Sequence, residues 1–135
     1  MLVQPYLSFG GRCEEAIEFY RRALNAEVTR LMRFKDAPQG MPGMPAGSES
    51  KVMHASLKIG STDVMMSDGQ CQGMPQFQGI SLSITAASEA EAERAFAALA
   101  EGGKVQMPLS KTFFSPKFGM LADRFGVSWM IVAEG

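Results

Sequence analysis

The chain has 135 residues, 46% of them apolar and 20% charged, with a formal net charge of −1 at neutral pH. That length and balance suit one globular domain with a single sizeable core. The near-neutral charge gives no electrostatic case for nucleic acid or an anionic membrane, and no apolar run approaches the roughly 20 residues that span a bilayer.

Val3 to Phe9 alternates as a strand does, with Leu7 and Phe9 on one face and Gln4, Tyr6 and Ser8 on the other. Gly10-Gly11 breaks it. Arg12 to Leu24 then predicts an amphipathic helix whose stripe is Cys13, Ala16, Ile17, Tyr20 and Leu24. Glu14, Glu15, Glu18, Arg21 and Arg22 cover the wet side, and the two acids Glu14 and Glu18 are expected to pair with Arg one turn on. Asn25 suits the left-handed residue that ends a helix. Glu27 to Phe34 is β-prone. Residues 36–50, rich in Gly, Pro and Met, read as a mobile loop, with a Met-bearing lid as the sharper alternative.

Val52 to Ile59 alternates again: Met53, Ala55, Leu57 and Ile59 against His54, Ser56 and Lys58. Gly60-Ser61 turns into a short strand, Asp63–Asp68, and residues 69–79 form a polar linker. Ile80 to Thr85 is the next strand, with Ile80, Leu82 and Ile84 opposed to Ser81, Ser83 and Thr85. Ser88 followed by Glu91 predicts a capping box at the start of a helix that runs to about Glu101 and stops at Gly102-Gly103. Its buried stripe is Ala92, Ala95, Phe96 and Leu99. Val105–Met107, Met120–Ala122 and Val127–Val132 are expected strands, with Asp123 to Gly126 as the turn between the last two.

Strand–helix–strand–strand–strand therefore occurs twice, once over about 1–68 and once over about 80–135. The expected class is α+β: two βαβββ modules forming a curled mixed eight-stranded sheet, with helices outside and a small-molecule cavity inside. Cys13 and Cys71 have no metal-binding spacing and read as reduced thiols, with a disulfide as the alternative. Most of the eleven methionines read as core filler. With no basic-then-apolar export pattern at the N-terminus, the expected location is cytoplasmic.

Tyr6–Leu24 (YLSFGGRCEEAIEFYRRAL) resembles the opening strand and helix of vicinal oxygen chelate proteins, above all the PhnB-like members. Val52–Asp68 is similar to the middle of that family, and Phe118–Val132 (FGMLADRFGVSWMIV) resembles its closing hairpin. The resemblance implies the glyoxalase/bleomycin-resistance fold, a homodimer, and a cavity inside each curled sheet. It also implies four strand positions that, in metal-dependent members, hold a divalent ion with His, Gln or Glu. They fall on Gln4 and near Met66, Gly79 and Met130. Gln4 alone has a suitable donor, because thioether sulfur is a poor ligand for hard cations and glycine has none. No glyoxalase-type metal site and no other cofactor is therefore expected; a divalent metal through His54 and Asp68 remains the minority alternative.

Parity assigns Gln4, Tyr6, Ser8, His54, Ser56, Lys58, Asp68, Ser81 and Ser83 to the cavity face. His54 is the single histidine, and an imidazole can take or give a proton near neutral pH. His54 and Tyr6 are the candidate catalytic residues, and a cross-strand structural histidine is the alternative. Asp68 ends a strand, so turn capping competes with catalysis. Phe113 and Phe114 are adjacent in a loop, which suits a cavity mouth or dimer contact; Met130 completes the ligand-binding set. Trp129 has the opposite parity and is placed in the core.

Some members of the family carry names that refer to ubiquinone methyl transfer or phosphonate metabolism. No strand is followed by a Gly-rich turn opening a helix, so no nucleotide-type cofactor cradle is expected. Nor is there an Arg cluster for tight phosphonate capture. The expected function is binding of a small, partly apolar metabolite. A metal-assisted lyase, isomerase or dioxygenase is the alternative within the superfamily, and a structural or partner-binding dimer is the alternative outside enzymology.

Overall fold

A computed structural model describes residues 1–37, 47–69 and 75–135. Two compact units divide at Pro75/Gln76, and each is a βαβββ module.

The first module runs β1 (Tyr6–Ser8), α1 (Cys13–Leu24), β2 (Glu27–Arg33), a 3-10 turn at Phe34–Asp36, β3 (Val52–Ile59) and β4 (Thr62–Ser67). Its sheet has the order β1-β4-β3-β2, with β1 parallel to β4 and the other pairs antiparallel. The helix forms where the apolar stripe demands it. Cys13, Ala16, Ile17 and Tyr20 are buried, as is Phe19, which the periodicity had not placed in the stripe. Leu24 is only half-buried. Asn25 closes the helix at φ 55°, the left-handed region a short polar side chain tolerates. Under α1 lie Leu7, Ala55, Leu57 and Met66, all buried. The alternation therefore leaves Tyr6, His54, Ser56, Lys58 and Met65 on the face turned away from the helix.

Three expectations are corrected here. Met66 is fully buried opposite Ala55, so the open-face residue of β4 is Met65. Phe34–Asp36 folds back as a 3-10 turn, which takes Phe34 out of the expected strand and Asp36 out of the expected loop; Asp36 accepts from the Arg33 amide at 2.8 Å. Glu14 pairs with Arg33 of β2, while Glu18 does pair with Arg21 at 2.9 Å. Of the loop or lid expected over residues 36–50, residues 38–46 fall outside the described residues, as does Cys71.

The second module runs β5 (Leu82–Ala86), α2 (Glu89–Ala100), β6 (Lys104–Ser110), β7 (Phe118–Ala122) and β8 (Ser128–Ala133). Its sheet order is β5-β8-β7-β6, the same topology as the first, with β5 parallel to β8. Ser88 caps α2 through Glu91 N at 3.1 Å, and the Glu91 carboxylate returns to the Ala87 amide, one residue earlier than a full capping box requires. Ala92, Ala95 and Leu99 are buried and Phe96 half-buried, facing Leu121, Trp129 and Ile131. Gly119 lets α2 come this close: an added Cβ would meet Phe96 Cε2 at 2.7 Å. Ile80, expected on the core side, precedes β5 and is exposed. Among the described residues no helix is long and apolar enough to cross a membrane.

Candidate functional site

On the first module's open face, Tyr6 Oη lies 3.1 Å from His54 Nδ1, with the rings tilted at 40° and 5.7 Å apart. The pair bridges strands that are 48 residues apart in sequence. It forms because β1 and β3 both pair with β4: Tyr6 opposes Met65, and Met65 opposes Ser56. His54 opposes Met32 on β2, and Ser56 opposes Arg30. Tyr6 is about half exposed and His54 half-buried, so both are open to a ligand. The surroundings are mixed: two thioethers, a hydroxyl and a guanidinium.

The direction of that hydrogen bond depends on the tautomer of the imidazole. A phenol is a better proton donor than an imidazole N–H, and an imidazole nitrogen is a better acceptor than a phenol oxygen. In the tautomer where Tyr6 donates to Nδ1, the imidazole carries its proton on Nε2. That tautomer presents Nε2–H as a donor; in the other, Nδ1–H donates to the Tyr6 oxygen and Nε2 is an acceptor.

The remaining site residues are spread more widely. Ser56 sits two residues along β3 from His54. Lys58, exposed, lies between Glu27 and Asp63 in a cross-strand row of alternating charge. Gln4 is half-buried just before β1, and Ser8 ends that strand. On the second module, Ser81 precedes β5, Ser83 pairs with Met130, and both serines are exposed. Phe113 is fully exposed and Phe114 half so; Phe114 packs edge-on against both Phe113 and Phe118 at 5.1 Å.

Asp68 has a structural task. It is 1% exposed. Oδ1 accepts from the amides of Gly11 and Cys13, and Oδ2 from Val52, all at 2.8 Å. A carboxylate satisfying two amides at a helix start also complements the helix dipole. The strand–Gly-Gly–helix turn that the sequence reading passed over does exist, between β1 and α1. Its amides are filled by Asp68 from within the chain. Beside it, burial first, and then the charges of Asp68 and Glu14, push the Cys13 thiol well up, so it stays protonated.

Next to this turn is a cleft of about 310 Å³ lined by Gly11, Glu14, Arg33, Lys35, Lys51 and Asp68. Its cations are largely spent internally. Arg33 grips Glu14 through both nitrogens at 3.0 and 2.8 Å, and Lys51 donates to Gly11 O at 2.9 Å. The residue spacing did not reveal this cluster, because its parts come from α1, β2 and the approach to β3.

The donor set does not fit a glyoxalase-type divalent metal. Met66 is buried beneath α1, Gly79 offers no side chain, Met130 offers sulfur, and Gln4 lies outside the strand. Among the described residues no three of His, Cys, Asp and Glu gather to hold an ion.

Paired βαβββ modules of identical sheet order, each with one helix-covered and one open face, define a protein of the vicinal oxygen chelate class. The model of the 3-demethylubiquinone-9 3-methyltransferase family matches residues 2–132, and the chain belongs to that family, the PhnB-like branch of the superfamily. It is 36% identical to protein YjdN of Escherichia coli (strain K12), over 97% of this chain and 94% of that one. The crystal structure of protein PA1353 from Pseudomonas aeruginosa is similar at 44% identity and a TM-score of 0.86, covering 99% of this chain and 98% of the other. The PhnB protein from Bacillus cereus is similar at 30% identity and a TM-score of 0.80, covering 98% and 99%. A glyoxylase/bleomycin resistance protein/dioxygenase domain from Frankia sp. EAN1pec shares the fold at 13% identity and a TM-score of 0.68, over 100% of this chain and 92% of that one. The family description implies a methyl donor of nucleoside type. Among the described residues the Gly-rich strand-to-helix turn is the one between β1 and α1, and its Gly11 and Cys13 amides are bound to Asp68, so the residues do not fit such a donor there.

Proposed function

We propose that this chain binds a small, partly apolar metabolite on the open face of its first module, without a divalent metal and without a methyl-transfer step. The observation that carries the reading is the Tyr6–His54 hydrogen bond at 3.1 Å on an open sheet face. We take Tyr6 as its donor; the Nε2–H then left on His54 selects a ligand with an acceptor oxygen, such as a carbonyl or carboxylate. Met32 and Met65, in the cross-strand positions beside the pair, supply adaptable apolar contact. Occupied amides at the β1–α1 turn and the sulfur-bearing donor set support the absence of nucleoside and hard-metal chemistry. We read the chain as a homodimer; the exposed Phe113 and Phe114 support that.

The test is a thermal-shift screen of small oxo-acids and related metabolites against the wild type, Tyr6→Phe and His54→Ala. A ligand at a hundredfold its Kd stabilises by about 2.7 kcal/mol. The expected outcome is a shift lost in His54→Ala and weakened in Tyr6→Phe, with unliganded stability changed by under about 0.5 kcal/mol. Full ligand response in both variants, or collapse of the unliganded fold, overturns the reading.

A further inference from the structure

The second module carries an unassigned row of thioethers. Met107 on β6 pairs with Met120 on β7, and Met120 pairs with Met130 on β8. Cross-strand partners share a face, with Cβ atoms about 4.5–5.5 Å apart. That face is the one turned away from α2: the alternate residues Leu121, Trp129 and Ile131 are buried on the helix side, as is Gly119 beside Phe96.

A backbone irregularity puts Met107 there. Val105 pairs with Leu121 on the helix side. A regular antiparallel step would set Met107 opposite Gly119, on that same side. The bulge between Val105 and Met107 slips the register so that Met107 meets Met120 instead. Met107 is 42% exposed and the other two are half-buried, so an ion has access from solvent.

Thioether sulfur is neutral, soft and borne on a flexible stem, and soft ligands select Cu(I) over hard divalent ions. The property that makes Met130 unfit for a glyoxalase-type metal fits it for this one. Ser83 ends the row beyond Met130 and no carboxylate stands in it, so a hard cation gains no charge there. We propose that Met107, Met120 and Met130 form a binding site for a soft monovalent cation, Cu(I) in particular. The site is independent of the Tyr6–His54 reading.

The experiment uses the full chain carrying Cys71→Ser, which removes a competing thiol; Cys13 is buried. Ag(I), a redox-inert stand-in, is titrated while the methionine methyl resonances are followed. The expected result is a single saturable event that shifts the Met107, Met120 and Met130 methyls together. Met120→Leu, a volume-conserving change, abolishes it with the circular dichroism unchanged, and Met65→Leu leaves it intact. X-ray absorption of the Cu(I) form shows sulfur-only coordination. Absence of saturable binding, shifts confined to other methionines, or unchanged binding by folded Met120→Leu overturns the proposal.

Discussion

Trp129 donates its indole N–H to Asp123 Oδ2 at 2.9 Å, tying the largest core side chain of the second module to the turn that precedes its strand. The other oxygen, Oδ1, accepts from the amides of Phe125 and Val127 at 2.9 and 3.1 Å. One carboxylate, 3% exposed, thus shapes the β7–β8 hairpin and satisfies a buried donor.

Removing it takes the acceptor from three buried N–H groups; a lost acceptor costs up to about 1–3 kcal/mol, and less where the turn can open to water. Asp123→Ala is expected to destabilise the chain by about 2–4 kcal/mol in urea unfolding. Trp129→Phe, which removes the donor along with some volume, should cost less than Asp123→Ala.

Asp68 makes a sharper test, because three backbone amides converge on it. Asparagine keeps one acceptor oxygen for Gly11 and Cys13, but turns an NH₂ toward the Val52 N–H. Donor then faces donor, so Asp68→Asn is expected to cost about 2–4 kcal/mol, close to the cost of Asp68→Ala. Chemical denaturation of both variants measures the difference; a mild Asn variant would count against the geometry.

The Glu14–Arg33 pair predicts a pH dependence of definite sign. The hydrogen bond from Arg33, ahead of its charge, holds the Glu14 carboxyl below its ordinary range, and Glu14 in turn raises Arg33. A carboxyl depressed on folding stabilises the native state above its unfolded value, and that stabilisation fades as pH falls through the folded value. Glu14 is 62% exposed, so the effect is at most about 1 kcal/mol and weakens with salt. Stability of the wild type minus Glu14→Gln, followed from about pH 6 to pH 3, should shrink toward the acid end.

Gly119 is needed for space rather than for a special backbone angle. An added methyl meets Phe96 Cε2 at 2.7 Å, Met107 O at 3.0 Å and Leu109 Cδ2 at 3.1 Å. Gly119→Ala is expected to cost about 1–3 kcal/mol through overpacking, with Phe96→Ala in the same chain recovering part of it. A double-mutant cycle checks the coupling.

Much of the fold was legible in the residue order. Cys13, Ala16, Ile17 and Tyr20 recur at helical spacing, and Met53 to Lys58 alternates cleanly, so the elements and their inward faces could be read directly. Boundaries slipped where turns extended a strand's alternation, as at Ile80. The site was legible as a set of face-sharing residues on β1 and β3. The Tyr6–His54 bond was not, because nothing in either segment states that both strands flank β4. The Met107–Met120–Met130 row was hidden by a bulge, which breaks the period that parity arguments use.

The sequence by itself therefore determined which side chains share a face and that one βαβββ pattern occurs twice, since helical and strand periods are local properties of the chain. Tertiary structure alone decided where the polar groups end: Asp68 on the α1 amides, Asp123 on Trp129, Arg33 on Glu14, Tyr6 on His54. Apart from Asp123 and Trp129, which share one hairpin, those pairings depend on register between segments distant in sequence. A shift of one residue turns a whole strand over, and local composition does not encode that.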